Sequence, residues 1–392
     1  MERIGIYGGT FNPPHMGHIR AAGYAIEALG LERLLLVPSC IAPHKTLPPH
    51  SPTPDQRAQM LHIAAGEKME VCDIELRRGG TSYTYETVEA LAAQYADQEL
   101  VLLMGTDMFL SFFTWKEPQR ILQKAAIGVF YRGDKGELEE IEAQKAKLEA
   151  EDAKIYLVKN PVTAISSTQL RRLLAFQCGS SFLPTGVEDY IRENGFYGIG
   201  TDYRSLSIEK LEQVVVGLMK PSRVPHILGC RDTAAELARR WGADETDAAR
   251  AGLLHDITKA LDGPLQLTLC WEYDTILDDF HKKNPKTLHA LTGSLVAERI
   301  FGENKAVVDA IASHTTGKAN MNTLEKILYV ADYMEHNRDF PGVEKLGQLA
   351  FEDLDQALKL GLEMTLELLR QQGREISPES AEALAFLQQA GV

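Results

Sequence analysis

The chain has 392 residues, 44% apolar and 24% charged, the balance of an ordinary globular protein rather than a disordered or fibrous one. At about 150 residues per domain that length predicts two or three domains. With 41 Lys+Arg against 55 Asp+Glu the net charge is −14, which excludes a general nucleic-acid binder and a binder of anionic membranes. Basic residues gathered in a cleft of such a chain stand out as anion ligands. Cys40, Cys72, Cys178, Cys230 and Cys270 are odd in number and far apart, with no C-x-x-C, so neither a disulfide framework nor a zinc ribbon is expected. The first residues run straight into a strand pattern, and no apolar run reaches the roughly 18 residues needed to cross a bilayer. A reducing cytoplasm is the expected compartment.

Taken in chain order, the first 200 residues alternate short apolar runs with helical patterns. Strands are predicted at 3–7, 33–37, 70–75, 99–104, 126–131 and 154–158, with helices at 18–28, 53–65, 85–95 and 115–122 between them. That alternation predicts a doubly wound parallel α/β sheet with its ligands beyond the carboxyl ends of the strands. Residues 137–152 carry mixed charge at helical propensity and predict a solvated surface helix. Near Gly198 the texture changes, and only helix-length patterns follow: 206–219, 226–241, 246–261, 286–301, 305–313, 322–335, 349–371 and 378–389, punctuated by Pro221, Pro264, Pro285 and Pro341. The predicted organisation is multidomain: an α/β domain over 1–199, a linker over 200–205 and an all-α domain over 206–392.

The first constellation is Gly8-Gly9-Thr10-Phe11-Asn12-Pro13-Pro14-His15-Met16-Gly17-His18, which leaves the first strand and opens the first helix. Two glycines allow close backbone approach, and a helix N-terminus offers N–H groups to phosphate. His15 and His18, three apart, can face one side and donate to oxygens that gain charge as a phosphorus is attacked. A lone Gly-Gly-Thr would be only a turn; H-x-G-H after a strand is more. The string resembles the signature of the H-x-G-H nucleotidyltransferase superfamily, and Ile165-Ser166-Ser167-Thr168-Gln169-Leu170-Arg171 resembles its partner motif, whose hydroxyls and arginine hold ATP phosphates. Together with Pro43-His44-Lys45, Gly80–Thr84, Gly105-Thr106-Asp107 and Thr114-Trp115, residues 1–199 resemble bacterial nicotinate-mononucleotide adenylyltransferase. The resemblance implies ATP with Mg²⁺ and nicotinate mononucleotide as ligands. It implies phosphate contact at Lys45 and Arg171, a ribose contact at Asp107, stacking of the pyridine ring on Trp115, and capture of the nicotinate carboxylate by backbone near Thr84. Gly8, Gly9, Thr10, Phe11, Gly105, Ser166, Ser167 and Thr168 complete the expected nucleotide-binding set. Asn12 stands where the family often has aspartate, and a neutral amide is not counted as a metal ligand. An adenylyl- or cytidylyltransferase acting on phosphopantetheine, FMN or nicotinamide mononucleotide is the alternative.

The second constellation is the dyad His255-Asp256 in an apolar helical stretch, with His226 upstream and His289, His314 and Asp332 downstream. Ionisable residues are rarely buried without a partner or a metal, and imidazole with carboxylate suits iron, manganese, nickel or zinc. One such histidine would be an ordinary core residue; an H…HD…H…H…D series spread over five helical patterns is not. It resembles the HD superfamily of metal-dependent phosphohydrolases. With His314-Thr-Thr-Gly-Lys318 and Asn337-Arg338-Asp-Phe-Pro341 it resembles, more narrowly, the bacterial HD-type symmetrical bis(5′-nucleosyl)-tetraphosphatase. That likeness implies a metal pair bridged by Asp256, with phosphate contacts at Lys259 and Arg338 and diadenosine tetraphosphate as substrate; iron is the first expectation, because a histidine-rich site with carboxylates suits it. His62, His281 and His336 are expected to be surface or structural. The alternatives are a metal-bound regulatory or dimerisation module without turnover, or hydrolysis of another nucleotide. The sequence leaves the oligomeric state open, a homo-oligomer included.

Overall fold

Strand after strand in the first half alternates side chains between two apolar layers, as a sheet buried on both faces requires. The computed structural model describes residues 2–40, 51–133, 135–161 and 165–392. The chain divides into two compact units, residues 1–175 with 179–200, and 176–178 with 201–392.

The first unit holds β1 (Arg3–Gly9), α1 (Met16–Leu29), β2 (Arg33–Pro38), α2 (Pro54–Ala64), β3 (Met69–Val71), α3 (Ile74–Arg78), α4 (Thr84–Gln94), β4 (Glu99–Gly105), α5 (Thr106–Leu110), α6 (Pro118–Leu122), β5 (Ala125–Tyr131), α7 (Lys135–Glu149), β6 (Ile155–Lys159), α8 (Ser167–Ala175) and α9 (Val187–Glu193). Among the described residues the sheet has six strands, all parallel, in the order β3-β2-β1-β4-β5-β6. The order reverses between β1 and β4, and a ligand crevice belongs there. Ile4, Ile6, Leu102, Met104 and Ile127 pack on one face, and Leu34, Leu36, Val101, Leu103 and Ala126 on the other. This is the doubly wound parallel α/β domain that the alternation predicts.

Three local expectations change. The strand predicted at 70–75 ends at Val71, because the chain turns at Asp73 and winds into α3, where Arg77 returns to pair with Asp73 at 2.9 Å. The helix predicted from 115 begins only at Pro118, whose fixed φ suits a first helical turn. The charged helix α7 is not wholly solvated, since Ile141, Gln144 and Leu148 are buried.

The second unit is helical: α10 (Ile208–Leu218), α11 (Val224–Trp241), α12 (Glu245–Leu254), α13 (Gly263–Glu272), α14 (Asp279–Lys283), α15 (Leu288–Arg299), α16 (Lys305–Ser313), α17 (Thr323–Met334), α18 (Val343–Glu352), α19 (Leu354–Gln371) and α20 (Pro378–Gln389). The sequence pattern misses α13 and α14. It also starts the 349–371 helix too early: Asp353, in extended backbone, caps α19 through the N–H groups of Asp355 and Gln356 and so breaks that stretch in two. The helix predicted over 246–261 stops at Leu254. Beyond it, bonds spanning three residues (Ile257 N–H to Leu254 O at 3.0 Å, Lys259 N–H to Asp256 O at 2.8 Å) tighten the chain through the dyad. Among the described residues no helix is long and apolar enough to cross a membrane.

Candidate functional site

In the first unit β1 delivers the glycines, and His15 caps α1 from extended backbone. The His15 N–H donates to His18 Nδ1 at 3.2 Å, and the two rings stack with centroids 3.6 Å apart. That bond occupies the His18 Nδ1 lone pair, so its ring proton sits on Nε2. Burial pushes the His15 pKa down to about 4, which keeps it neutral near pH 7. Phe11 is buried with φ +46, a left-handed conformation costly for a bulky residue and held only where the surroundings dictate it. Its ring requires Gly9: a Cβ there would lie 3.1 Å from the ring.

The second motif docks onto this loop. Ser166 caps α8 by accepting the Gln169 N–H at 3.2 Å. Ser167 Oγ donates to the Pro13 carbonyl at 3.0 Å, and Arg171 donates to the Asn12 carbonyl at 2.7 Å and to Thr168 Oγ1 at 3.2 Å. Asn12 is buried and accepts from the Tyr197 hydroxyl at 2.6 Å, so its amide is a structural link. Gly105 and Asp107 leave the carboxyl end of β4, next to β1, and Asp107 is exposed. Thr84 opens α4. Trp115 is half-buried against Phe112, and its neighbour Lys116 stands 3.9 Å over the Tyr83 ring, which brings those two segments together. Lys45, with Pro43 and His44, lies outside the described residues.

One residue that motif reading missed is Arg57 on α2. It is fully buried and donates to the carbonyls of Thr10 (2.5 Å), Ser39 (2.7 Å) and Cys40 (3.1 Å). Among the described residues the hydrogen-bond partners of Arg57 and Arg171 are neutral oxygens, so two cations meet the glycine loop through carbonyl and hydroxyl groups. Burial lowers the pKa of both. An arginine in an ordinary helix carries no sequence signal of this role.

In the second unit His226 lies in the first turn of α11, His255 and Asp256 follow α12, His289 is in the first turn of α15, His314 ends α16, and Asp332 is on α17. The six meet. Asp256 Oδ2 is 3.7 Å from both His226 Nε2 and His255 Nε2, while its Oδ1 is 3.4 Å from His289 Nε2 and 3.7 Å from His314 Nε2. Asp332 Oδ1 is 3.3 Å from His226 Nε2 and 3.7 Å from His255 Nε2. Three of the histidines place Nδ1 on a backbone carbonyl three residues back: His255 on Gly252 (2.8 Å), His289 on Lys286 (2.8 Å) and His314 on Ile311 (2.7 Å). His226 Nδ1 instead meets Glu335 Oε1 at 3.2 Å. Carbonyls and carboxylates only accept, so every Nδ1 is protonated and every Nε2 presents its lone pair inward.

This donor set fits a metal. Two Nε2 lone pairs, of His226 and His255, face each other at 3.2 Å, an arrangement that repels unless a cation lies between. Asp256 Oδ1 is buried without a hydrogen-bond partner. Burial holds His255 near pKa 4 and, with Lys259 and His314, His289 near 3, so both are neutral ligands. Burial opposes the Asp256 charge, yet its carboxyl is held well below the usual range, with the Lys259 ammonium beside it favouring the ionised form.

Lys259 Nζ lies 2.7 Å from His289 Nε2 and 3.6 Å from Asp256 Oδ1. Arg338 donates to Asp332 Oδ1 at 2.7 Å and to its carbonyl at 2.9 Å. Sequence reading missed three neighbours: Arg223, paired with Asp256; Thr315, whose hydroxyl is 3.0 Å from His289 Nε2 and 3.1 Å from His314 Nε2; and Glu335. His62, in the first unit, and His336 are exposed, and His281 pairs with Asp278. The cluster opens into a cleft of about 1310 Å³, bordered by Lys259, His289, Asp332, Arg338, Tyr333 and Phe340.

Fold and site together define a nucleotidyltransferase followed by an HD domain. The cytidylyltransferase-like family matches residues 6–173 and the HD domain residues 223–337. The first half is 37% identical over 198 residues to the probable nicotinate-nucleotide adenylyltransferase of Dictyoglomus thermophilum, spanning 99% of that protein and 50% of this chain. It is 32% identical to that of Borreliella burgdorferi, spanning 96% of it and 50% of this chain. Through this half the chain belongs to the nicotinate-nucleotide adenylyltransferase family. A solved structure described as a predicted HD superfamily hydrolase involved in NAD metabolism, from Clostridium acetobutylicum, is 35% identical with a TM-score of 0.46, covering 47% of this chain and 98% of that one. Plasmodium falciparum nicotinic acid mononucleotide adenylyltransferase complexed with NaAD is 19% identical with a TM-score of 0.41, covering 50% of this chain and 98% of that one.

Proposed function

We propose that the chain is a cytoplasmic bifunctional enzyme. Its first unit transfers adenylyl from ATP to nicotinate mononucleotide, giving deamido-NAD and pyrophosphate. Its second unit hydrolyses diadenosine tetraphosphate symmetrically to two ADP. Five free thiols suit that compartment.

The observation that supports the first activity is the docking of Ser167 and Arg171 onto the loop that carries His15 and His18. The nucleotide's 5′-phosphate attacks the α-phosphorus as the bond to pyrophosphate breaks, and no general base is needed because a phosphate is already ionised near neutrality. His18 Nε2–H donates to the oxygens that gain charge, and neutral His15 supports its ring. Thr10, Ser166, Ser167 and Thr168 hold the phosphates. Lys45 and Arg171 stabilise the departing pyrophosphate, and Arg57 fixes the loop from behind. Mg²⁺ accompanying ATP neutralises phosphate charge. Incubation of the chain with ATP and nicotinate mononucleotide, with deamido-NAD read by chromatography, tests this; no product would refute it.

The observation that supports the second activity is the Asp256 carboxylate with one oxygen toward each pair of histidines. His226, His255, Asp256, His289, His314 and Asp332 would hold a divalent pair, iron first, with manganese, nickel or zinc as substitutes. Bound there, it supplies Lewis acidity toward water and phosphate oxygens. Lys259 and Arg338 face the cleft and neutralise the polyphosphate, one as a point charge and one as a planar fork. The cleft exceeds the roughly 300–1,000 Å³ of ordinary small-molecule pockets, as a ligand with two nucleosides requires.

A further inference from the structure

We propose that Glu335 is a positioning residue of the metal centre: its carboxylate keeps the proton on His226 Nδ1 and so turns the Nε2 lone pair into the cluster. This rests on reading the six residues as a divalent-metal site, and not on which nucleotide is cut.

His255, His289 and His314 are each oriented by a backbone carbonyl. His226 differs. Its Nδ1 meets a side-chain carboxylate, Glu335 Oε1, at 3.2 Å. A carboxylate behind a ligating imidazole fixes the tautomer and raises the basicity of the other nitrogen, which a neutral carbonyl does less strongly. Glu335 is 1% exposed, and both of its oxygens are committed. Oε2 accepts from the Asn337 backbone N–H and from Asn337 Nδ2, both at 2.8 Å. Asn337 Nδ2 is itself anchored by the Pro225 carbonyl at 3.0 Å, beside His226 in the chain. Arg338 Nε lies 3.9 Å from Oε1.

Gly229, one turn along α11 from His226, carries a second, independent signal. A Cβ there would fall 2.1 Å from Glu335 Oε2 and 2.9 Å from Asn337 Nδ2. Only glycine leaves room on α11 for the carboxylate that serves the histidine of the same helix. Helix α11, the end of α17 and the Asn337 turn are therefore shaped around a single buried ion.

The geometry makes Glu335→Gln informative. Two donors from Asn337 would hold the amide oxygen at the place of Oε2 and turn the NH₂ toward His226. Nδ1 must then accept, the ring proton moves to Nε2, and the lone pair leaves the cluster, with volume and packing nearly unchanged. The test titrates the metal-free full chain with Mn²⁺ by calorimetry and follows thermal unfolding in parallel. Glu335→Gln should weaken Mn²⁺ binding about 10–100-fold, with wild-type unfolding and wild-type adenylyl transfer. Gly229→Ala, which retains Glu335 and every ligand, should weaken it in the same direction. Imidazole ¹⁵N spectra of the metal-free wild type should show His226 protonated at Nδ1. Wild-type Mn²⁺ affinity in both variants, or a wild-type His226 protonated at Nε2, would overturn the proposal. A wild type that binds no Mn²⁺ would overturn the metal reading with it. Neither the Mn²⁺ titration nor the imidazole spectrum involves a nucleotide, so failure to cut diadenosine tetraphosphate leaves this test standing.

Discussion

Replacing Arg57 with methionine removes three bonds at once while roughly keeping the side-chain length. The carbonyls of Thr10, Ser39 and Cys40 each lose a charged donor at 2.5–3.1 Å. At about 1.5–3 kcal/mol for a hydrogen bond to a charged group, the gross loss is roughly 4–9 kcal/mol. Part is recovered, because the guanidinium no longer has to be desolvated and methionine packs well in an apolar site. A net loss of about 2–4 kcal/mol follows, which for a unit of this size lowers the unfolding temperature by roughly 4–16 °C. Function should fall further than stability suggests, since the freed Thr10 carbonyl belongs to the loop that holds His15 and His18. A displacement near 1 Å at such a site costs about 10²-fold in turnover. Arg57→Lys, able to reach some but not all of the carbonyls, should lie between. Calorimetry of the first unit's transition and the rate of adenylyl transfer below that transition are the assays. An Arg57→Met variant that unfolds within about 1 °C of wild type would refute the clamp argument.

His18→Ala removes the Nε2 donor and should lower adenylyl transfer about 10²-fold or more; wild-type turnover would end its assigned role. Because N–H donors lose a charge-assisted bond when they face a carboxamide, kcat/KM should favour nicotinate over nicotinamide mononucleotide, and equality would contradict that. His15 predicts a pH effect on stability. Its folded pKa of about 4 lies below the ordinary 6.5, so the unfolded chain binds more protons between those values. Stability should therefore fall as pH drops from about 6.5 toward 4, and His15→Asn should flatten that slope; an unchanged slope would exclude His15 as its source. Asp256→Ala should abolish nucleotide hydrolysis and leave adenylyl transfer intact, and surviving hydrolysis would refute the metal mechanism.

Much of this was legible because the chemistry is local in sequence. The glycine loop, H-x-G-H and the S-S-T-Q-L-R string each occupy one turn, and their docking through Arg171 and Ser167 follows from the α/β topology. The six histidine and aspartate positions were legible for another reason: few ionisable residues sit in apolar helices without a purpose. What escaped is what tertiary packing alone creates. Arg57 reads as an unremarkable helix residue until α2 lies behind the loop. Glu335 and Gly229 lie 106 positions apart, and their fit exists only once α11 packs beside the Asn337 turn. Helices α13 and α14 were missed because their apolar positions follow no clear period. The run at 246–261 read as a single helix because its end, at the dyad, is set by the turn that carries the ligands and not by a glycine or proline.

The joining of two activities in one chain is tested most directly by a single chromatographic experiment. The full chain is incubated with Mg²⁺ and Mn²⁺, once with ATP and nicotinate mononucleotide and once with diadenosine tetraphosphate, alongside its Asp256→Ala variant. Deamido-NAD and pyrophosphate are expected from the first mixture with both proteins, and ADP as the only nucleotide product of the second with wild type alone. AMP plus ATP, or no cleavage by the wild-type chain, would contradict it.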